Sequence, residues 1–280
     1  MTEQAGVPGS RRTLLVGAGK VGTRLGQRLV ERGDRVFALR RDPSSLPPAF
    51  TPIAADLSAP LTSELPDVDA MVITLTPGRP APTLDDSAYL ASLRHLADAL
   101  PSRPDRVVFV SSTGVFEGRP EGAERWEGDV PEPETDRGRL LLAGERTAVD
   151  LFGAAVVRPA GIYGPGREFL LRKVLQGEAM AMRKGTNRIH EFDLVTLLET
   201  LIAADGPRPA LVHAVDRAPA PMGEVVGCIG ELLGVAPPPA LDPDPGGGAI
   251  LRGRIEEFTG PLRFPTYVEG YADIIARRSP

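Results

Sequence analysis

The sequence predicts a doubly wound α/β fold, a parallel sheet with helices on both faces and a smaller C-terminal part. Two observations predict it. Short apolar runs alternate with amphipathic stretches from Thr13 to about residue 160. The first apolar run also leads straight into a glycine-rich turn and then a helical pattern, the local order of a buried parallel strand crossing over to a helix.

The elements follow in order. Thr13–Val16 is the first strand, and Lys20–Arg32 a helix with Val21, Leu25, Leu29 and Val30 at helical spacing, stopped by Gly33. Strands are expected at 35–39, 52–55 and 70–75. A helix is expected at 84–100, with Leu90, Leu93, Leu96 and Leu100 on one side. The fifth strand is 106–110, followed by a helix at 139–152 and a sixth strand at 154–157. Beyond residue 160 the rhythm breaks. Helices are expected at 168–176, 192–204 and 222–233, a strand at 210–215, loop at 236–248, and a short mixed stretch at 252–271. The expected division is a tail at 1–12, a nucleotide-binding domain at 13–160 and a substrate-binding part at 161–280, with 189–215 returning to the main sheet.

Composition removes several function classes. The 280 residues carry 32 Lys and Arg against 37 Asp and Glu, a net charge of −5, which argues against a nucleic-acid partner recruited by bulk charge. The single Cys228 forbids an internal disulfide and a thiolate zinc cluster, and its apolar neighbours argue against a reactive thiol. Only His95, His190 and His213 are present, too few for a His-rich metal site, and His95 and His213 are expected to be structural. Residues 1–12 lack the apolar run of a signal peptide, and no stretch is long and apolar enough to span a bilayer. The expectation is a cytoplasmic protein with no membrane partner. No G-x-x-x-x-G-K-[ST], H-E-x-x-H or G-x-S-x-G pattern is present.

The turn carries G-x-G-x-x-G at Gly17, Gly19 and Gly22. That pattern is weak alone and gains meaning between a strand and a helix. Gly17 permits the tight turn, Gly19 lets a pyrophosphate approach the backbone, and Gly22 lets helix and strand pack closely. The amides at the helix start, at Lys20 and Val21, are then available to an anion. The second strand ends in Leu39-Arg40-Arg41. A carboxylate there would bind a ribose 2′-hydroxyl, whereas Arg40 and Arg41 suit a 2′-phosphate. NADP(H) is therefore the expected cofactor, with NAD(H) as the alternative; Asp42, the next residue, favours the latter.

Taken together, these segments resemble the short-chain dehydrogenase/reductase superfamily in its extended, NAD-dependent epimerase/dehydratase-like branch, a Rossmann fold. The resemblance rests on Gly17–Gly22, on Ala55-Asp56-Leu57, on Val108–Phe116 with Ser111-Ser112, and on Val157-Arg158-Pro159-Ala160-Gly161-Ile162-Tyr163-Gly164-Pro165-Gly166. Arg188-Ile189-His190 with Asp193, and Phe264-Pro265-Thr266-Tyr267 with Gly270, extend it to most of residues 13–275. It implies that Asp56 and Leu57 meet the adenine, and that Leu75, Thr76, Ser111 and Pro159 complete the cofactor contacts. It also implies pairing of two copies through the helices at 84–100 and 139–152, a possible homodimer.

The catalytic centre departs from that family. Its Tyr-x-x-x-Lys would fall on Arg137-Gly138-Arg139-Leu140-Leu141, so Arg137 replaces the Tyr and Leu141 the Lys, and Phe116 replaces a further Tyr. An arginine cannot act as a general acid, because its pKa lies above 12. Three side chains remain as catalytic candidates. Ser112 could hydrogen-bond a substrate carbonyl or simply cap a turn. Tyr163 could supply a proton or shape its loop. His190 titrates in the useful range or is structural. Arg137 and Arg139 could bind an anion or lie solvated among Glu132, Glu134 and Asp136, and Trp126 could close on a ligand or pack. The expected function is an NADP(H)-dependent oxidoreductase or epimerase/dehydratase-like enzyme acting on a small polar metabolite. The alternative is a non-catalytic NADP(H) sensor or scaffold.

Overall fold

A computed structural model describes residues 10–78, 83–84, 86–117 and 122–278. Most of the expected tail, residues 1–9, lies outside the described residues, as do residues 118–121 of the stretch around Trp126.

The main sheet has seven strands: β1 (Arg12–Val16), β2 (Arg35–Arg40), β3 (Thr51–Ala54), β4 (Ala70–Ile73), β5 (Arg106–Val110), β6 (Ala155–Pro159) and β7 (Leu211–Ala214). Their order is β7-β6-β5-β4-β1-β2-β3, so the chain winds outward in both directions from β1. β1 pairs in parallel with β2 and β4, with Leu14 beside both Phe37 and Met71. Four of the six connections between these strands carry a helix: α1 (Lys20–Glu31), α2 (Ala88–Ala99), α3 (Asp136–Phe152) and α5 (Glu191–Ile202); those from β2 to β3 and from β3 to β4 carry none. All four residues of β4 are fully buried, as expected of a central strand in a parallel sheet with both faces covered.

Several boundaries differ from the sequence expectation, and the 252–271 stretch expected to be mixed carries helices at Glu256–Thr259 and Tyr267–Ala276. α2 starts at Ala88 after Ser87 rather than at residue 84. α3 starts at Asp136 rather than 139, because the Thr135 hydroxyl accepts the Gly138 amide at 3.0 Å, an N-cap that the Pro-rich approach obscured. Arg12 belongs to β1 rather than to a tail; its guanidinium meets Asp69 at 2.8 Å.

The chain divides into two compact units. One comprises Met1–Ser111, Leu140–Val157 and Leu198–Ala210; the other comprises Ser112–Arg139, Arg158–Leu197 and Leu211–Pro280. The first unit's core lies between strands and helices, with Leu14, Val16, Phe37, Met71, Leu93, Leu96 and Phe109 buried together. On its other face Gly26 of α1 sits against Phe50 and Leu15, so closely that a Cβ would fall 2.4 Å from Phe50 Cζ. The second unit has a separate core of Tyr163, Leu171, Val174, Val225, Val226, Ile229, Tyr271 and Ile274. It is built on α4 (Phe169–Gln176), α6 (Met222–Leu233), α7 (Glu256–Thr259) and α8 (Tyr267–Ala276), with short strand pairs between them. Residues 188–190 pair in parallel with Gly161–Tyr163, outside the main sheet, and the 236–248 stretch is loop as expected. No helix among the described residues is long and apolar enough to cross a membrane.

Candidate functional site

Gly17 adopts φ +78°, the left-handed region that a side chain disfavours. A Cβ there would also press on the main chain of Thr74 at 3.3 Å. Thr74, which sequence reasoning missed, locks the turn: its hydroxyl contacts the carbonyl of Gly17 at 2.5 Å and that of Val16 at 3.1 Å. The signal was its place at the end of β4, the strand beside β1. Gly19 faces open space apart from the Gly17 carbonyl at 3.8 Å. α1 begins at Lys20 with no side-chain cap on Gly19 and no acidic residue in its first turn. Its opening amides, Val21 and Gly22 included, thus carry the partial positive charge of a helix start with no competing side-chain anion. A pyrophosphate group fits that cradle.

Arg40 closes β2 beside this turn. Its Nη1 donates to the Ala18 carbonyl at 3.4 Å and to Ser45 Oγ at 3.2 Å. Arg41 is exposed next to it. Asp42 turns to the Ser44 amide at 2.9 Å, and its carboxyl is held below the usual range by hydrogen bonds from the Ser44 side chain and backbone. After β3, Asp56 is exposed and accepts the Ser58 amide at 3.0 Å, which lowers its pKa. Leu57 is buried, and its carbonyl meets His95 Nδ1 at 2.9 Å, so His95 ties α2 to that loop. Leu75 lies half-buried against Gly17, and Thr76 is exposed. The structure thus gathers Gly17, Gly19, Lys20, Val21, Gly22, Arg40 and Leu75 around one turn.

At the end of β5 the Ser111 amide donates to the Val157 carbonyl at 2.8 Å, and its hydroxyl donates to Glu145 of α3 at 2.6 Å. Glu145 is 4% exposed and was not singled out by sequence. Its signal was a carboxylate on the apolar face of α3. Leu141, one turn earlier, is buried as an ordinary core side chain.

The second unit holds the other candidates. Ser112 caps a short 3₁₀ turn, Thr113–Phe116, by accepting the Gly114 amide at 3.1 Å. Among the described residues its own O–H has no acceptor, so the hydroxyl can still donate. Thr113 Oγ1 donates to the Pro159 carbonyl at 3.3 Å. Arg137 is exposed and pairs with no carboxylate among the described residues, whereas Arg139 is held by Asp136 at 2.7 Å. Trp126 is half-exposed, and its amide donates to Asp129 at 2.7 Å.

Tyr163 is 4% exposed; its hydroxyl donates to the Thr266 carbonyl at 3.3 Å, and its ring lies 4.8 Å from that of Tyr271. Burial, then the charge of Asp216, pushes the phenol far above its ordinary pKa, so it holds its proton. His190 is packed edge-on to Tyr163 at 5.1 Å and over Phe264 at 3.9 Å, and its Nδ1 accepts the Phe192 amide at 3.1 Å. Both rings sit inside the second unit's packing. His213 is fully buried: its Nδ1 meets the Arg252 carbonyl at 2.9 Å and must therefore carry the proton, leaving Nε2 towards Arg158 at 3.5 Å. Glu127, a further residue the sequence did not announce, accepts the amides of His213 at 3.1 Å and Arg254 at 2.9 Å. No cluster that could hold a metal ion occurs among the described residues.

The family described as NAD(P)H-binding matches residues 17–140, which contain the turn, Arg40 and the end of β5. A solved structure from Methylobacillus flagellatus, named as a candidate NAD-dependent epimerase/dehydratase, is 26% identical, covering 95% of this chain and 98% of that one with a TM-score of 0.79. Residues 17–140 form an NAD(P)H-binding domain, and the fold is the one found in epimerase/dehydratase-like proteins. Measured against the short-chain dehydrogenase/reductase pattern the sequence is atypical, since Arg137 and Leu141 stand where that pattern has Tyr and Lys. The same fold recurs in MoeE5, solved with UDP-glucuronic acid and NAD, at 24% identity over 95% of this chain and 99% of that one, TM-score 0.74. It recurs again in a candidate epimerase from Burkholderia cenocepacia, at 18% identity over 96% and 98%, TM-score 0.77. No curated protein matches.

Proposed function

We propose that this chain is an NADP(H)-dependent oxidoreductase or epimerase/dehydratase-like enzyme of the cytoplasm, acting on a small polar metabolite through a non-standard catalytic centre. The observation that carries the cofactor choice is Arg40, whose guanidinium is steered by the Ala18 carbonyl and Ser45 to the edge of the glycine turn. A guanidinium fork there matches a 2′-phosphate and offers nothing to a 2′-hydroxyl that a carboxylate would serve better. The nicotinamide, when bound, supplies or accepts a hydride.

In this reading the chain orients and the cofactor reacts. Ser112 donates its remaining O–H to the substrate oxygen, since its lone pair is already engaged by the Gly114 amide. Tyr163 and His190 pack within the second unit, and a phenol kept protonated by burial is a poor proton shuttle at neutral pH. With Tyr163 holding its proton, water is the proton source in this reading. The test is titration of the protein with NADPH and NADH, followed by nicotinamide fluorescence, and then a carbonyl screen with Ser112→Ala as control. Preferential NADPH binding and turnover lost in Ser112→Ala support the reading, whereas failure to bind either nucleotide overturns it.

A second reading has a specific observation in its favour. Leu141 is buried in the first unit's packing and Arg137 carries no dispensable proton. Both changes suit a protein that senses NADP(H) without turning it over. Tight NADPH binding with no oxidation across the screen favours that reading.

A further inference from the structure

Two carbonyls of the glycine turn are held by side chains. That of Gly17 accepts the Thr74 hydroxyl at 2.5 Å and, from within the turn, the Gly19 amide at 2.6 Å. That of Ala18 accepts Thr23 Oγ1 and Arg40 Nη1, both at 3.4 Å. The Thr74 contact is the shortest of the side-chain contacts and so the strongest.

The Thr74 hydroxyl has one proton and two carbonyls within reach. The Val16 carbonyl, at 3.1 Å, already accepts the Thr74 amide at 2.8 Å. The proton therefore goes to Gly17, whose carbonyl then has both lone pairs engaged. Thr74 is itself held in place. It follows β4 directly, its amide continues the pairing of β4 with β1, and its branched Cβ restricts χ1. A Cβ on Gly17 would fall 3.3 Å from the Thr74 carbonyl group, and one on Gly22 would fall 3.7 Å from the Thr74 hydroxyl oxygen. One side chain from β4 thus borders both the first and the last glycine of the turn.

Gly17, at φ +78°, has no side chain to restrain the peptide that follows it. Without the hydroxyl its carbonyl keeps only the Gly19 amide, two residues on, and the peptide joining Gly17 to Ala18 is freer to rotate. A carbonyl released beside the opening amides of α1 opposes an anion that those amides favour.

We propose that Thr74 is a positioning residue for the diphosphate of the dinucleotide: its hydroxyl keeps the Gly17 carbonyl turned onto β4, so that the turn has its anion-binding form before the nucleotide arrives. The role rests on NAD(P)H binding by residues 17–140, and not on a 2′-phosphate preference or on turnover. A turn that visits other forms binds more weakly, in proportion to the fraction of time it is competent. That factor is common to every ligand that carries the diphosphate.

Fluorescence titration with NADPH and with NADH, and displacement of NADPH by ADP, tests it. Thr74→Ala removes the donor, and all three dissociation constants should rise by a common factor of about 3–10, the contribution of one hydrogen bond. Thr74→Ser restores the donor and should bind all three within about twofold of the wild type. Urea unfolding of the same variants separates folding from binding, since a residue that serves stability alone leaves the dissociation constants of the folded protein unmoved. Should Thr74→Ala fail to fold, Thr74→Val removes the same donor and keeps the branched shape. Unchanged dissociation constants, a loss confined to one ligand, or an equal loss in Thr74→Ser each overturns the role. So does failure of both Thr74→Ala and Thr74→Val to fold, which makes the hydroxyl a folding element. A wild type that binds neither dinucleotide overturns the cofactor reading and this role with it, an outcome visible before any variant is made.

Discussion

The hydroxyl of Ser111 and the buried carboxylate of Glu145 are 2.6 Å apart, which joins the end of β5 to the middle of α3 by a short, charge-assisted hydrogen bond. α3 is thus anchored to the sheet by a polar contact one turn beyond Leu141. The strand end that presents Ser111, and after it Ser112, takes its position from a helix that carries no proton-transfer group at Leu141.

Glu145→Leu should therefore cost more than Glu145→Gln. The glutamine keeps an acceptor for Ser111, whereas leucine leaves the half-buried hydroxyl without one, a loss of about 0.5–1.5 kcal/mol. Urea unfolding of the two variants measures the difference, and equal midpoints would remove the anchor from the account.

Arg40→Ala should weaken NADPH binding by about 10–100-fold, the worth of a charge-assisted contact of about 1.5–3 kcal/mol. NADH binding should change little. Equal weakening for both nucleotides would show that Arg40 supports the turn rather than reading the 2′ position.

Tyr163→Phe removes only the 3.3 Å contact to the Thr266 carbonyl. Stability should fall by about 0.5–1.5 kcal/mol, and turnover on any substrate found should survive. Abolished turnover in a folded Tyr163→Phe protein would restore the phenol as the proton donor.

Gly26→Ala should destabilise despite the better helix former. The new methyl meets Phe50 Cζ at 2.4 Å and Leu15 Cδ1 at 2.8 Å, both in a closed core. Overpacking of this kind costs about 1–3 kcal/mol. At roughly 2–4 °C per kcal/mol for a chain of this class, calorimetry resolves it.

Acid sensitivity has a source in Asp69, whose carboxyl is lowered chiefly by its hydrogen bond to Arg12. A depressed folded-state pKa contributes stability above the ordinary carboxylate range and loses it as pH falls through the folded value. Asp69→Asn should lower stability at pH 7 by up to about 1 kcal/mol, change it least at pH 3, and so flatten the acid side of the stability curve. Chemical unfolding at pH 3 and pH 7 makes the comparison.

Much of the nucleotide-binding unit was legible because local signals and global fold agreed there. Gly17, Gly19 and Gly22 announce a turn in which Gly17 takes a left-handed conformation that favours glycine, and the alternation of Leu14, Phe37 and Met71 with helical stretches fixes the winding of the sheet. Arg40 was legible from its place at a strand end. Thr74, Glu145 and Glu127 were not, because each acts on a main-chain or side-chain partner brought near by tertiary folding, and nothing in the neighbouring residues marks it. The α3 start was misplaced because Thr135 acts as a cap three residues ahead of the apolar pattern. Tyr163 and His190 drew attention as reactive types; their burial against Phe264, Tyr271 and Gly270 depends on α8, some hundred residues further along the chain for Tyr163.

The nucleotide-binding unit is discontinuous: Leu198–Ala210 belongs to it, and Arg11 and Arg106 close on the carbonyls of Ile202, Ala204 and Gly206. During synthesis the early strands therefore wait for residue 210 before that unit is complete. At about 5–20 residues per second the wait lasts on the order of 10–40 s. For that interval the nascent chain shows apolar strands to its surroundings, a demand on ribosome-associated chaperones that a unit encoded in one continuous stretch would not make.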